Sequence, residues 1–123
     1  MKRLFCMKDK NRVNKIILQK IIGYCNDIEE NFNNAENPEE KYINKKFFRY
    51  GCDMCVLQIG ELTTRLTEDF KEKHSDIEWR KIKALRNIHV HEYDKIDFEE
   101  MLKILQKDIP ELKKNLQKII DGV

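Results

Sequence analysis

The sequence predicts an all-α protein, a bundle of four to five antiparallel helices that pairs with a second copy. Three observations predict it. Apolar residues recur at spacings of three and four along each long segment, the period of a helix with one buried face. Only four glycines and two prolines interrupt 123 residues, too few for the many turns of a sandwich. One segment carries two apolar stripes rather than one, so it lies at the centre of the bundle or in a dimer interface. A chain of this length builds one domain around one core. We set its bounds at 11–123, with a basic extension over 1–10.

The first helix is expected from about Lys10 to Glu30, on the stripe Val13, Ile17, Ile21, Tyr24 and Ile28. Asn31 to Glu40 holds four asparagines and Pro38 and reads as a loop. A long second helix is expected over Lys41–Lys73. Its stripes are Ile43, Phe47, Tyr50, Met54 and Leu57, and Phe48, Cys52, Cys55, Ile59, Leu62, Leu66 and Phe70. Gly51 and Gly60 weaken its helical propensity and suggest close approach of a neighbour. Ser75-Asp76-Ile77-Glu78 has the spacing of a capping box, so a third helix should start there. It carries Trp79, Ile82, Leu85 and Ile88. Asp94 to Asp97 reads as a short turn, with Asp97 an acceptable cap for the last segment. That segment's stripe runs Phe98, Leu102, Leu105, Ile109, Leu112, Leu116 and Ile119, and keeps its phase through Pro110. The unbroken phase implies one long helix with a proline kink, or two helices nearly end to end.

The N-terminus has no apolar core long enough for a signal peptide, and no run approaches a membrane span. A cytoplasmic protein is expected, with reduced cysteines. Cys52-x-x-Cys55 lies inside a helical pattern with no second pair to complete a zinc site, so both read as core residues. The net charge of +2 is too small to mark a general nucleic-acid binder. Any attraction for RNA must come from a local patch.

Such a patch exists. Arg80, Lys81, Lys83 and Arg86 lie in seven residues without an acid, just before Asn87-Ile88-His89-Val90-His91-Glu92-Tyr93. On a helical wheel Arg80, Lys83, Asn87 and His91 form one stripe. A guanidinium can hold a phosphate bidentately, and an imidazole can move a proton near neutral pH. The chemistry that fits is attack of an RNA 2′-hydroxyl on the adjacent phosphorus. His91 is the general base, and Arg86 stabilises charge growing on the non-bridging oxygens. Arg80 and Lys83 would contact RNA phosphates. The products are a 2′,3′-cyclic phosphate and a 5′-hydroxyl. No metal and no cofactor is required, and there is no carboxylate cluster to hold a metal. Arg86 and His91 lie about 140° apart on an ideal helix. To converge they need the helix to unwind near His89, a long arginine to reach round, or two sites to meet across a dimer. His89 is a second candidate base, although its spacing from Leu85 and Ile82 puts it with the apolar face. Taken alone, an arginine and a histidine at a helix end are more often solvated or structural.

Arg86, His91 and Tyr93 resemble the R-x-x-x-x-H-x-Y signature of the HepT-like branch of the HEPN superfamily, with Asn87 at the supporting polar position. Leu57-Gln58-Ile59-Gly60-Glu61, Leu66-Thr67-Glu68-Asp69-Phe70, Ile77-Glu78-Trp79-Arg80-Lys81-Ile82 and Asp108-Ile109-Pro110-Glu111-Leu112 resemble that family's successive landmarks. The likeness covers roughly residues 11 to 120. It implies an all-helical homodimer, a metal-independent ribonuclease acting as a toxin, and a minimal nucleotidyltransferase antitoxin as partner. It also implies AMP transfer to Tyr93, which would bring negative charge and bulk to a phosphate site. Glu92 and Asp94 depart from the family pattern and put negative charge beside it. The rival reading is a non-catalytic helical module that binds a nucleotidyltransferase or nucleotide. A structural dimerisation bundle is a third, and it leaves the basic stripe unexplained.

Overall fold

The computed structural model describes the backbone of residues 2–87 and 95–122, and the side chains of 9–87 and 98–122. All regular structure among them is helical: α1 (Lys2–Asn34), α2 (Pro38–Asn44), α3 (Lys46–Thr63), α4 (Glu68–Lys73) and α5 (Trp79–Lys83). A 3-10 turn (Ala84–Asn87) follows α5. Then come α6 (Lys95–Lys103), a π turn (Ile104–Asp108) and α7 (Ile109–Asp121). The helix α1 packs on α3 and α7, and α3 also receives α5 and the 3-10 turn. No helix among the described residues is long and apolar enough to cross a membrane.

The first helix extends beyond both expected ends and takes in the basic extension from Lys2. Its buried face is Asn14, Ile17, Leu18, Ile21, Ile22, Cys25 and Ile28. Val13, expected on that face, is 49% exposed, and Tyr24 is half-buried. Asn14 takes the place beside Ile17 because its amide has a partner. Its Nδ2 donates to Thr67 Oγ1 at 3.0 Å, and its Oδ1 accepts from the Thr67 amide at 3.2 Å.

The long second helix is corrected to three shorter ones. The first break is at Lys45, whose backbone is extended. There the buried Arg49 Nη1 donates to the carbonyls of Tyr42 (3.1 Å) and Ile43 (2.8 Å). A continuous helix would have paired those carbonyls with the amides of Lys46 and Phe47. The guanidinium substitutes for the lost amides, and Tyr42 folds in to donate its hydroxyl to Asp53 at 2.6 Å. The second break follows Thr63. Residues 64–66 turn through amide bonds to carbonyls three back, and Thr67 then caps α4 by accepting from the Phe70 amide at 3.3 Å.

Ser75 does not start the third helix. Helix α5 begins at Trp79, with Glu78 as N-cap and no side-chain capping bond. The indole Nε1 donates to the carbonyls of Lys71 (3.2 Å) and His74 (3.0 Å), so Trp79 ties itself to the end of α4. Residues 74–77 are spent on that turn. At the far end α6 begins at Lys95, so the expected turn is helical from there. The last stripe is buried from Phe98 to Leu116, with Ile119 half-buried. Pro110 is accommodated without breaking the segment. The Ile109 amide donates to the carbonyl of Ile104, five residues back, and this wider turn makes room for a ring that would otherwise clash with the preceding turn.

Cys25 and Cys52 are buried, and Cys55 is half-buried, all as free thiols. Burial pushes the Cys25 and Cys52 thiols up to about 12, and that of Cys55 in the same direction. These are core thiols, not nucleophiles.

Candidate functional site

Helix α5 is short, and it is oriented by the indole hydrogen bonds of Trp79 and by aromatic and apolar packing. Trp79 is 9% exposed and lies against Phe70, with ring centroids 5.8 Å apart. Ile82 and Leu85 are half-buried against the core, while Arg80, Lys83, Arg86 and Asn87 are exposed. The basic stripe is therefore the solvent side of an element whose other side is anchored.

The α-helix ends at Lys83, and Ala84 to Asn87 form the 3-10 turn. Unwinding near His89 was one of three ways for Arg86 and His91 to converge, and His89 lies outside the described residues; a change of helix type is present already at Ala84. It alters which side chains align. In an α-helix Lys83 and Arg86 stand about 60° apart and Lys83 and Asn87 about 40°. With about three residues per turn, Lys83 and Arg86 eclipse and Asn87 swings away. The tighter turn thus brings Arg86 into line with Lys83 and moves Asn87 out of the stripe.

The turn is pressed against α3 at Gly60. A Cβ on Gly60 would collide with the backbone nitrogen of Arg86, and would lie 3.0 Å from the Leu85 carbonyl carbon and 3.1 Å from the Arg86 Cα. No side chain fits there without moving the backbone of Arg86. The expectation of a close approach holds at Gly60 and fails at Gly51, which is exposed and where an added methyl would meet nothing within 4 Å. The spacing of apolar residues does not say what approaches Gly60; the candidate arginine is the answer.

Further back, on α2 and α3, lies a buried polar cluster that the sequence reading missed. Tyr42, Arg49 and Asp53 are each under 5% exposed. The Arg49 guanidinium carbon stands 5.0 Å from the ring centre of Phe98, and Tyr42 meets the same ring edge-on at 5.9 Å. Burial pushes the Asp53 carboxyl up to about 6, against the lowering effect of the Tyr42 hydroxyl and Arg49. Burial and the Asp53 carboxylate push the Tyr42 phenol upward as well. Arg49 and Asp53 are i and i+4 on α3. That spacing was the available signal, but it lies inside a stretch that reads as an apolar helix.

His89, His91, Glu92, Tyr93 and Asp94 lie outside the described residues, as does Ile88. Of the candidate site, the structure describes Arg80, Lys83, Arg86 and Asn87, all exposed, with Arg86 in line with Lys83 and Asn87 turned off that line. Among the described residues, no three His, Cys, Asp or Glu side chains gather into a metal-binding group.

Comparison with known proteins bears on most of the chain. The family model described as Ribonuclease HepT-like matches residues 16–119. A candidate RNase of Methanocaldococcus jannaschii is 33% identical over 103 residues, which cover 84% of this chain and 93% of that protein. A second candidate RNase of that organism is 31% identical over 110 residues, 89% of this chain and 88% of the relative. A candidate ribonuclease HepT of Thermococcus cleftensis is 34% identical over 61 residues, 50% of this chain and 56% of the relative. No solved structure matches. The matched span runs from α1 to α7 and includes both the Gly60 seat and the basic edge, so the chain belongs to the HepT-like ribonuclease family of the HEPN superfamily.

Proposed function

We infer that this protein is a ribonuclease that cleaves RNA by 2′-hydroxyl attack and serves as the toxin of a toxin–antitoxin pair. The observation that carries the reading is the seating of Arg86. Its backbone is pinned to α3 at Gly60, and its side chain is exposed at the end of a basic edge. A fixed backbone with an exposed guanidinium is what stabilisation of a developing phosphorane charge requires.

His91 takes the proton from the 2′-hydroxyl, the 2′-oxygen bonds to phosphorus, and the bond from phosphorus to the 5′-oxygen breaks. The leaving oxygen is protonated by an imidazolium or by water. Arg86 holds the non-bridging oxygens, Asn87 supports the motif, and Arg80 and Lys83 hold flanking phosphates. These groups supply acid–base chemistry and charge without a metal ion. The protein acts in the cytoplasm as a homodimer, whose contact surface includes the exposed Ile43, Phe47 and Met54 of α2 and α3. A minimal nucleotidyltransferase antitoxin silences it by transferring AMP to Tyr93.

The test is cleavage of RNA in excess chelator, with the 3′ ends of the products mapped. A 2′,3′-cyclic phosphate is expected. Arg86→Ala and His91→Ala should each lower the rate by about 10²–10⁴, while His89→Ala should retain activity. Activity that vanishes with chelator and returns with magnesium overturns the mechanism. Incubation with the antitoxin and ATP should add AMP to the wild type and not to Tyr93→Phe.

A further inference from the structure

We propose that the cavity between the start of α1, helix α4 and the end of α7 binds a nucleotide, with its base on the Phe70–His74 wall and its phosphate on Lys10, Lys15 and Lys73. The cavity measures about 450 Å³, within the range of about 300–1,000 Å³ usual for small-molecule sites. It is separate from the Arg86 edge, and none of its lining residues belongs to the motif.

Its walls divide by chemistry. Leu18, Ile119 and Ile120 make an apolar floor. The Phe70 and His74 rings, 4.6 Å apart and tilted by 48°, form an aromatic side wall. Trp79 fixes that wall from behind, since its indole holds the His74 carbonyl and its ring contacts Phe70. A planar base gains from such a rigid aromatic face whatever its identity. Around the rim stand Lys10, Lys15 and Lys73, all exposed. No carboxylate among the described residues pairs with any of them. Asp69 is the one acid of the lining, placed to accept from ribose hydroxyls or an exocyclic amine.

A buried donor points to a ligand with acceptors. Asn14 lines the cavity and is 4% exposed. One hydrogen of its Nδ2 goes to Thr67 Oγ1; the second has no partner among the described residues. The two hydrogen bonds to Thr67 fix the amide's orientation, so that hydrogen is presented in a set direction. A base edge supplies the acceptor it lacks. Planarity, a hydrogen-bonding edge and one negative charge together describe a nucleotide better than an apolar ligand or a bare anion.

The nucleotide can be free or a unit of an RNA strand, and only the second source rests on the ribonuclease reading. The full chain, titrated with AMP, inorganic phosphate and a short 2′-O-methyl RNA that cannot be cleaved, tells them apart by amide and indole NMR shifts. AMP should saturably move the Asn14 side chain, Thr67, Phe70, His74 and the single indole of Trp79. Lys73→Ala should weaken AMP by about two- to fivefold, the loss of one exposed ion pair, and the triple Lys10, Lys15, Lys73→Ala chain by more than about tenfold. His74→Ala keeps the backbone carbonyl that Trp79 needs. It should weaken AMP by about fivefold or more and leave phosphate unaffected. If the RNA moves this set together with Arg86, the source is the strand; if AMP alone moves it, the source is a free nucleotide. No response to any probe overturns the proposal, and so does phosphate reproducing every AMP shift. RNA shifts confined to Arg86, with no AMP response in the cavity, overturn the cavity and spare the ribonuclease reading. A responding cavity in a chain that cleaves no RNA does the reverse.

Discussion

A methyl group added to Gly60 has nowhere to go, because the opposing atoms are backbone rather than the tip of a flexible side chain. Gly60→Ala should destabilise the fold by about 1–3 kcal/mol, the usual cost of overpacking. It should also reduce RNA cleavage beyond what the lost stability explains, because the 3-10 turn carrying Arg86 must shift. Gly51→Ala, on the exposed side of the same helix, should instead stabilise by about 0.5–1 kcal/mol. Thermal melts and cleavage rates of the two proteins check the contrast. Asp53 makes a second residue-scale prediction. Its folded pKa of about 6 lies above the ordinary value of 3.8, so the native state binds more protons between those values. Its contribution to stability therefore falls as pH rises from about 4 to about 6, by a few kcal/mol at most. Urea unfolding of wild type and Asp53→Asn across that window should give a difference that slopes this way. A flat difference would mean that Asp53 ionises as freely as in the unfolded chain.

At the scale of elements, the helical faces were legible and the breaks between them were not. Ile17, Ile21 and Ile28, and the run from Phe98 to Leu116, are buried as their spacing implies. Periodicity reports which residues seek the core, and it continues unchanged across Lys45 and Thr64–Thr67, where the chain turns. At Lys45 the turn depends on Arg49 reaching back to two carbonyls, a tertiary event with no local signature. At Thr67 the signal was present: a threonine followed by two acids is a helix start. A stronger-looking box at Ser75 failed because Trp79 bonds back to α4. The candidate site rests on residue types in Arg80 to Tyr93, of which Ile88 onward lies outside the described residues. The 3-10 turn that aligns Lys83 with Arg86 was not legible, because the glycine that shapes it lies 26 residues earlier. Thr67→Ala removes both the α4 cap and the hydroxyl that accepts from the Asn14 amide, and should cost about 1–2 kcal/mol. Thr67→Ser keeps the hydroxyl and should recover most of it in the same denaturation assay.

At the scale of the whole molecule, the helices that hold the core also display what the core does not use. Phe47 is 89% exposed, Met54 48% and Ile43 40%, on α2 and α3. The two apolar stripes read in the sequence thus separate: one is buried within the chain, and the other is offered outward. For the proposed homodimer, Phe47→Glu with Met54→Glu should shift the protein to monomer in analytical ultracentrifugation while leaving its circular dichroism intact. An unchanged dimer would place the contact elsewhere.

The sealed thiols make the protein its own gauge of opening. Cys25 and Cys52 are held un-ionised and out of reach inside the bundle. An alkylating reagent can meet them only when α1 and α3 part, so their labelling rate counts excursions from the closed state. Half-buried Cys55 on the same helix as Cys52 needs a smaller excursion and should react earlier. Two clocks on one helix, one for breathing and one for separation, are thereby available without a probe being added.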